Sequence, residues 1–140
     1  MKKIIILCSA LTIFLTVAFA KANPGTGDKI IGIYWSPNKD AKIEIYKKGD
    51  RYFGKSIWTA TKRKDLNNPN PTLRDKDLLG AELFKNFSYK DGAYEDGEIY
   101  DPESGKTYDC KMTLSGKTLK VRGYIGISLF GRTEVFERIM

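Results

Sequence analysis

At 140 residues, the chain is long enough for one domain with a substantial hydrophobic core and short for two domains of ordinary size. It carries 24 basic and 17 acidic side chains and no histidine. The lack of histidine excludes the usual general base at neutral pH, the histidine-activated serine and cysteine nucleophiles, and the commonest transition-metal ligand.

The first 22 residues have the features of a removable secretion signal. Lys2-Lys3 forms a short positive start, and residues 4–20 are uncharged and mostly apolar. Ala18-Phe19-Ala20 then places small residues at a cleavage site. Signal peptidase recognises this order of features, and the apolar stretch is slightly short for a membrane span. We expect residues 1–22 to be removed and the remainder to be exported, to the periplasm or the medium, with no transmembrane span after processing.

Processing also reduces the charge and the number of cysteines. Lys2, Lys3 and Lys21 lie in the signal, so the remainder has 21 basic and 17 acidic side chains, an excess of four positive charges. This small excess does not predict binding to nucleic acid. Cys110 is the cysteine that remains, so no internal disulfide can form and the core must stabilise the fold.

A turn-rich leader and a series of short strands follow the signal. Residues 23–29 contain Pro, Gly and Asn, which predict a flexible leader. From residue 30 onward, short runs of Ile, Val, Tyr, Phe and Trp are separated by Gly, Pro, Asn or Asp, a pattern typical of all-β domains. The predicted strands are Ile30–Trp35, Lys42–Lys47, Tyr52–Thr59, Ala81–Tyr89, Tyr94–Tyr100, Thr107–Leu114, Thr118–Tyr124 and Thr133–Ile139.

The connections predict how these strands are arranged. Nearly all are short, and Asp91-Gly92 is typical of a tight hairpin turn. Sequential strands are therefore expected to be antiparallel neighbours. About eight such strands predict a single up-and-down antiparallel β-barrel over residues 30–140, because closure removes exposed sheet edges. The interior of such a barrel holds side chains or one small ligand.

Two connections depart from the short-turn pattern. Residues 60–80 are polar and rich in proline, and a loop of this length is often a lid or a binding segment. The segment 125–129 places Ile125, Ile127 and Leu129 in alternation, which favours a core strand over a loop. If this segment is exposed instead, it is a contact surface for a partner or a membrane.

Alternation along the sixth predicted strand indicates its buried face. Tyr108, Cys110, Met112 and Leu114 share one face, and polar residues occupy the other. We therefore interpret Cys110 as a small buried hydrophobe rather than a reactive thiol, which would need exposure and a nearby cation.

Several segments together carry a resemblance to a known family: Trp35, Asn68–Arg74, Leu78–Gly80, Ile99–Tyr108, Leu119–Gly126, Leu129–Thr133 and Arg138. In combination they resemble the bacterial exported family called domain of unknown function 2147. The resemblance covers essentially the whole chain after the signal. One departure is Phe136, where many members have a tryptophan; we expect this to affect packing. The resemblance implies a bacterial exported protein with a small β-barrel, and it does not supply a known activity.

The first strand is also similar to the opening of lipocalin-like (calycin-type) barrels. Gly32-Ile33-Tyr34-Trp35 resembles their Gly-x-Trp sequence with one extra residue. This resemblance implies that Trp35 plugs the bottom of the barrel and that Arg138 or Arg132 lies over its ring. Truncation of Trp35 to alanine is then expected to cost several kcal/mol of stability.

The aromatic residues on the strands supply candidates for a binding site. Apolar walls with a few polar groups suit small ligands, and we predict Trp58, Tyr108 and Met112 as lining residues. No catalytic residue, metal ligand or cofactor is predicted. The acidic segment 95–103 lacks the spacing of an EF-hand, so it is interpreted as hairpin surface rather than a calcium site.

Three functional hypotheses follow. The first is a barrel that is not an enzyme and binds a small, partly apolar molecule outside the cytoplasm. The alternative is an envelope protein with a filled barrel that acts through its surface on a protein partner or the membrane. The third is an enzyme that uses paired carboxylates. An empty barrel interior favours the first hypothesis over the second.

Overall fold

Eight β-strands make up most of the chain that the structure describes. The computed structural model describes residues 26–139, so the predicted signal, residues 1–22, lies outside the described residues. Each observed strand matches one predicted strand to within two residues at either end. The strands are β1 (Gly32–Trp35), β2 (Ala41–Lys48), β3 (Arg51–Thr59), β4 (Glu82–Lys90), β5 (Ala93–Asp101), β6 (Lys106–Ser115), β7 (Thr118–Tyr124) and β8 (Arg132–Arg138).

The strands form a closed barrel in up-and-down order. Each strand pairs antiparallel with the next, and β8 returns to pair with β1. The closing seam is short, with Tyr34 opposite Arg138 and Trp35 opposite Glu137. Closure pairs the edges of β1 and β8, which would otherwise expose backbone donors and acceptors. The predicted single up-and-down antiparallel barrel is confirmed.

The connections differ between the two ends of the barrel. The turns at residues 49–50, 91–92 and 116–117 lie at one end, which we call the closed end. The longer connections, at residues 36–40, 60–81, 102–105 and 125–131, lie at the open end. Asp91 and Gly92 have φ values of 51° and 84°, as a two-residue hairpin turn of the predicted kind requires.

A 3-10 turn, Thr26–Ile30, packs across the closed end. The Tyr94 hydroxyl donates to the Gly27 carbonyl, and the Tyr34 hydroxyl donates to the Ile30 carbonyl at 2.8 Å. Ile30 is fully buried. Gly27 and Asp28, which the sequence assigns to a flexible leader at residues 23–29, therefore contact the barrel strands.

Arg138 lies over Tyr34 at the closed end. Its guanidinium carbon is 5.2 Å from the centroid of the Tyr34 ring, and its Nη2 donates to the Tyr34 hydroxyl at 2.7 Å. The same Nη2 donates to the backbone carbonyl of Lys29. Arg138 thus ties the last strand to the first strand and to the turn that covers the barrel.

The role predicted for Trp35 is therefore performed by Tyr34. Side chains alternate in direction along β1, so Gly32 and Tyr34 face inward while Trp35 faces outward, where it is half-buried. The extra residue in the Gly-x-Trp-like sequence moves the tryptophan to the outer face. The other predicted partner, Arg132, lies at the open end and pairs with Glu134 at 2.7 Å.

The core fills the closed half of the barrel. Cys110 is buried on β6, and burial raises the pKa of its thiol to about 12. A thiol in this environment stays protonated and unreactive at neutral pH, which agrees with its interpretation as a buried hydrophobe. The buried core residues include Ile30, Tyr34, Ile45, Tyr52, Phe84, Phe87, Tyr94, Cys110, Met112 and Leu119.

The apolar segment after β7 is an exposed loop, and the prediction of a core strand there is wrong. β7 ends at Tyr124, and Gly126 adopts a φ of +81°, which breaks the extended alternation. A 3-10 turn at Ser128–Phe130 follows before β8 begins. We call residues 125–130 the apolar loop. Its four large apolar side chains are 57% to 80% exposed: Ile125, Ile127, Leu129 and Phe130.

Candidate functional site

The open half of the barrel contains a cavity of about 460 Å³. Its floor includes Phe84 and Phe136, whose rings meet edge to face with centroids 5.6 Å apart. Apolar side chains line the walls: Ile43, Leu78, Leu83, Ile99 and Val121. This volume is within the range of about 300–1,000 Å³ that is typical of small-molecule sites.

Ser56 supplies a buried polar group to this apolar cavity. Its residue is 2% exposed, and its Oγ has no hydrogen-bond partner among the described residues. Its backbone groups are satisfied, since its N–H donates to the Ala81 carbonyl at 2.9 Å and its carbonyl accepts from Gly80 N at 2.7 Å. A buried hydroxyl without a partner costs about 1–3 kcal/mol. The Ser56 hydroxyl is therefore an unsatisfied polar group in the wall of the cavity.

Charged side chains from different connections meet at the mouth of the cavity. Arg63, on the long connection, lies between Asp40 at 3.7 Å and Glu103 at 3.8 Å. These carboxylates come from the turns after β1 and β5, so Arg63 spans the mouth between them. Arg132 and Glu134 form the ion pair already described on another side of the mouth.

The long connection, residues 60–81, is fastened to the mouth by side-chain hydrogen bonds. The buried Asp65 accepts from the Tyr100 hydroxyl at 2.6 Å and from Asn68 Nδ2 at 2.7 Å. Burial and this hydrogen bond to Asp65 raise the pKa of Tyr100 to about 12. Asn67 Nδ2 donates to the Glu103 carbonyl at 2.8 Å. The connection therefore forms one wall of the mouth, with Arg63 held over the opening.

Two of the three predicted lining residues lie outside the cavity lining. Tyr108 lines the cavity, but Met112 is buried in the core. Trp58 is on the outer surface, 40% exposed, and its ring meets that of Trp35 edge to face at 5.7 Å between centroids. Lys42 Nζ lies 4.7 Å from the Trp35 ring centroid and 5.4 Å from that of Trp58.

A β-bulge explains the position of Trp58. Tyr52, Gly54 and Ser56 point inward along β3, and strict alternation would direct Trp58 inward as well. The pairing of β2 with β3 shifts at this point: Ile43 lies opposite Ser56, and Lys42 lies opposite Trp58. The extra residue between them reverses the direction of the next side chain.

Sequence reasoning missed Ser56, although a signal for it exists. Ser56 shares the inward alternation of Tyr52 and Gly54, and a polar residue at an inward position of a barrel strand marks a buried hydrogen-bonding group. Arg63 carried no comparable signal, because its position depends on how the long connection folds back onto the mouth.

The carboxylates at the mouth do not favour the enzyme hypothesis. Paired-carboxylate hydrolysis needs one carboxyl kept protonated and a second free to attack or to activate water. Here Asp40 and Glu103 face Arg63, Glu134 pairs with Arg132, and Asp101 accepts hydrogen bonds from the Ser104 hydroxyl and the Glu103 amide.

Among residues 26–139, no three His, Cys, Asp or Glu side chains come close enough to hold a metal ion together. Within the same described residues, no helix has the length and apolar character needed to cross a membrane.

The closed eight-stranded up-and-down barrel, with one covered end and one open end, defines a lipocalin-like fold. The chain belongs to the family described as uncharacterized proteins conserved in bacteria (DUF2147), whose family model matches residues 32–138. Among solved structures, it is similar to protein HP1028 of Helicobacter pylori, which is described as belonging to the lipocalin family. That match has a TM-score of 0.71 and 21% sequence identity, and it covers 79% of this chain and 82% of the other. No curated protein matches the chain.

Proposed function

We propose that this barrel binds a small, partly apolar molecule in the cavity of its open half. The observation that carries the proposal is Ser56 Oγ, a buried hydroxyl with no partner among the described residues, inside an apolar cavity of about 460 Å³. A cavity with apolar walls and a few directed polar groups suits a small ligand. The lipocalin-like fold agrees with this proposal, although a fold by itself does not determine a function.

We also propose that the protein acts outside the cytoplasm, in the periplasm or the medium. The support is in the sequence of residues 1–22, with a basic start, an apolar stretch and small residues at a cleavage site. An exported binding protein of this kind would meet ligands of the cell envelope or the surroundings.

The proposal is tested by filling the cavity from a position that has room. Gly123 lines the cavity, and a Cβ added there would lie 3.5 Å from Tyr108 Cβ, an ordinary contact. Gly123→Leu should therefore fill part of the cavity without unfolding the barrel. We expect the purified barrel to bind an apolar fluorescent dye, and Gly123→Leu to weaken that binding at least about tenfold.

The matched control is Thr113→Leu, which adds a leucine on the exposed outer face of β6. It should leave dye binding unchanged, and thermal melts should show that both variants are folded. Equal dye binding by the parent and a folded Gly123→Leu would contradict the proposal that the cavity is the binding site.

The apolar loop favours a second function, contact with the lipid surface of the cell envelope. Its four large apolar side chains are exposed at the open end, and Arg122 fixes the loop by donating to the carbonyls of Ser128 at 2.7 Å and Leu129 at 3.2 Å. Residues 123–133 contain no carboxylate, and Arg132 at the end of the loop is highly exposed. Exposed apolar side chains with no carboxylate among them suit contact with an anionic lipid surface.

Vesicle flotation tests this second function. We expect the protein to float with vesicles that contain phosphatidylglycerol, and a variant with Leu129→Ser and Phe130→Ser to remain in solution. The control changes two exposed apolar residues of the barrel wall, Ile33→Ser and Val135→Ser, and should float like the parent. Failure of the parent to float would contradict the lipid contact and direct the search to a protein partner.

A further inference from the structure

We infer that the cavity selects amphipathic molecules with a cationic head, such as an amine, over those with a carboxylate head. This inference rests on the proposed binding function and concerns the chemical class of the ligand. Two independent observations carry it: the distribution of charge at the mouth and the buried hydroxyl of Ser56.

The net charge of the cavity lining is opposite in sign to that of the whole barrel. Four carboxylates and two guanidinium groups line the cavity, a net charge of −2. The chain after residue 22 has 21 basic and 17 acidic side chains, a net charge of +4. The local excess of carboxylates attracts a cation to the opening and repels an anion. The charged lining residues are Asp40, Arg63, Asp101, Glu103, Arg132 and Glu134.

Both guanidinium groups of the lining already face carboxylates. Arg63 lies 3.7 Å from Asp40 and 3.8 Å from Glu103, and Arg132 lies 2.7 Å from Glu134. A carboxylate ligand would have to displace one of these partners before it could pair with arginine. A cationic head can share two carboxylates, because Arg63 faces Asp40 and Glu103 at 3.7 and 3.8 Å, beyond hydrogen-bond distance.

Asp101 adds a further acceptor for a cationic head. Its Oδ2 accepts from the Ser104 hydroxyl at 2.7 Å and its Oδ1 from the Glu103 amide at 3.0 Å. These hydrogen bonds hold the carboxylate at the mouth without cancelling its charge. Its position in the lining places it within the opening that a ligand head would occupy.

Ser56 shows that this opening leads to a site rather than to ordinary surface. The residue is 2% exposed, its hydroxyl has no hydrogen-bond partner among residues 26–139, and it lines the same cavity as the mouth carboxylates. Phe84 and Phe136 at the floor offer apolar contact for the body of the ligand. An amphiphile would therefore place its apolar part on these rings and its head among the carboxylates.

The test compares three molecules that differ in their heads: decylamine, decanol and decanoate, each below its micelle concentration at neutral pH and low salt. Each is used to displace an apolar dye from the purified barrel. We expect protonated decylamine to bind about fivefold tighter than decanoate, with decanol between them. The preference should decrease as salt is added.

A double variant identifies the groups responsible. Asp40→Asn with Glu103→Gln brings the lining charge from −2 to zero, and the asparagine can still accept the hydrogen bond that Ser36 Oγ donates to Asp40 at 2.8 Å. We expect the preference for decylamine to disappear in this variant. The matched control, Asp50→Asn with Asp91→Asn, changes the same number of charges at the closed end and should retain the preference.

Each outcome distinguishes this inference from the proposed function. If all three molecules bind with equal affinity, or if decanoate binds tightest, the inference fails while the binding function stands. A preference that persists in the double variant also overturns it. If none of the three displaces the dye and the dye itself does not bind, the proposed function fails together with the inference.

Discussion

Tyr34 and its neighbour Trp35 lie on opposite faces of the barrel wall and have different surroundings. The Tyr34 ring is fully buried, lies under the Arg138 guanidinium and is hydrogen-bonded to the turn that covers the closed end. Trp35 lies half-buried on the outer face, against Trp58. We expect Tyr34→Ala to lower the free energy of unfolding by about 3–5 kcal/mol and Trp35→Ala to lower it by less than half as much. Urea denaturation of both variants measures this, and a larger loss for Trp35→Ala would contradict the assignment.

Asp28 makes the stability of the closed end depend on pH. The hydrogen bonds from Tyr52 at 2.5 Å and from Lys47 at 2.9 Å hold the pKa of Asp28 below its usual value of 3.8. A carboxyl with a lowered folded-state pKa stabilises the fold above its unfolded pKa, and this stabilisation is lost as the pH falls through the folded value. Asp28→Asn should therefore lower the melting temperature at pH 7, and the difference from the parent should shrink below about pH 4. A difference that stays constant from pH 7 to pH 3 would contradict this linkage.

The direction of individual side chains could be predicted where strict alternation holds. The inward face of β6, with Tyr108, Cys110 and Met112, follows directly from the sequence. Trp58 could not be placed in this way, because a bulge depends on how two strands pair rather than on either strand alone. A residue-by-residue pattern therefore predicts Tyr108 correctly and misplaces Trp58.

At the scale of elements, the turn between β5 and β6 packs closely against the long connection at Gly105. It has a φ of +70°, and a Cβ at this position would lie 1.9 Å from the Asn67 carbonyl oxygen. Gly105→Ala should therefore displace Asn67 and loosen residues 60–81, at a cost of more than about 1 kcal/mol. Hydrogen exchange and limited proteolysis should both become faster in residues 60–81.

Gly116→Ala is the matched control for this prediction. Gly116 has a φ of +59°, and a Cβ added there would have no atom within 4 Å. Both variants thus place an alanine at a positive φ, but only the alanine at position 105 collides with Asn67. Equal hydrogen exchange of residues 60–81 in both variants would contradict the role of Gly105 in fastening the connection.

The strands were predictable as elements, but the apolar loop was not. Alternating apolar residues between polar turns identify a half-buried strand, and this pattern located all eight strands. Ile125, Ile127 and Leu129 show the same alternation, yet the positive φ of Gly126 and the turn at Ser128–Phe130 make the segment a loop. The alternation of apolar residues shows which side chains would share a face if the chain were extended. It does not show whether a neighbouring strand is available to pair with the segment.

At the scale of the whole molecule, the closed barrel follows from the strand count and the short connections, whereas the cavity does not. Its existence depends on where the large residues are concentrated. Ile30, Tyr34, Tyr52, Phe87 and Tyr94 crowd into the closed half, while smaller side chains such as Ser56 and Gly123 line the open half. Such a distribution depends on strand register and on a covering turn, neither of which is visible in composition.

The central claim, that the open half of the barrel binds a small molecule, is tested most directly by mass. The protein should be purified from the host that produces it, and its mass compared under native and denaturing conditions. We predict an additional mass under native conditions that disappears on denaturation and is reduced or absent in Gly123→Leu. A bare protein mass in the native state, repeated across growth conditions for the parent protein, would contradict a tightly bound ligand in the cavity.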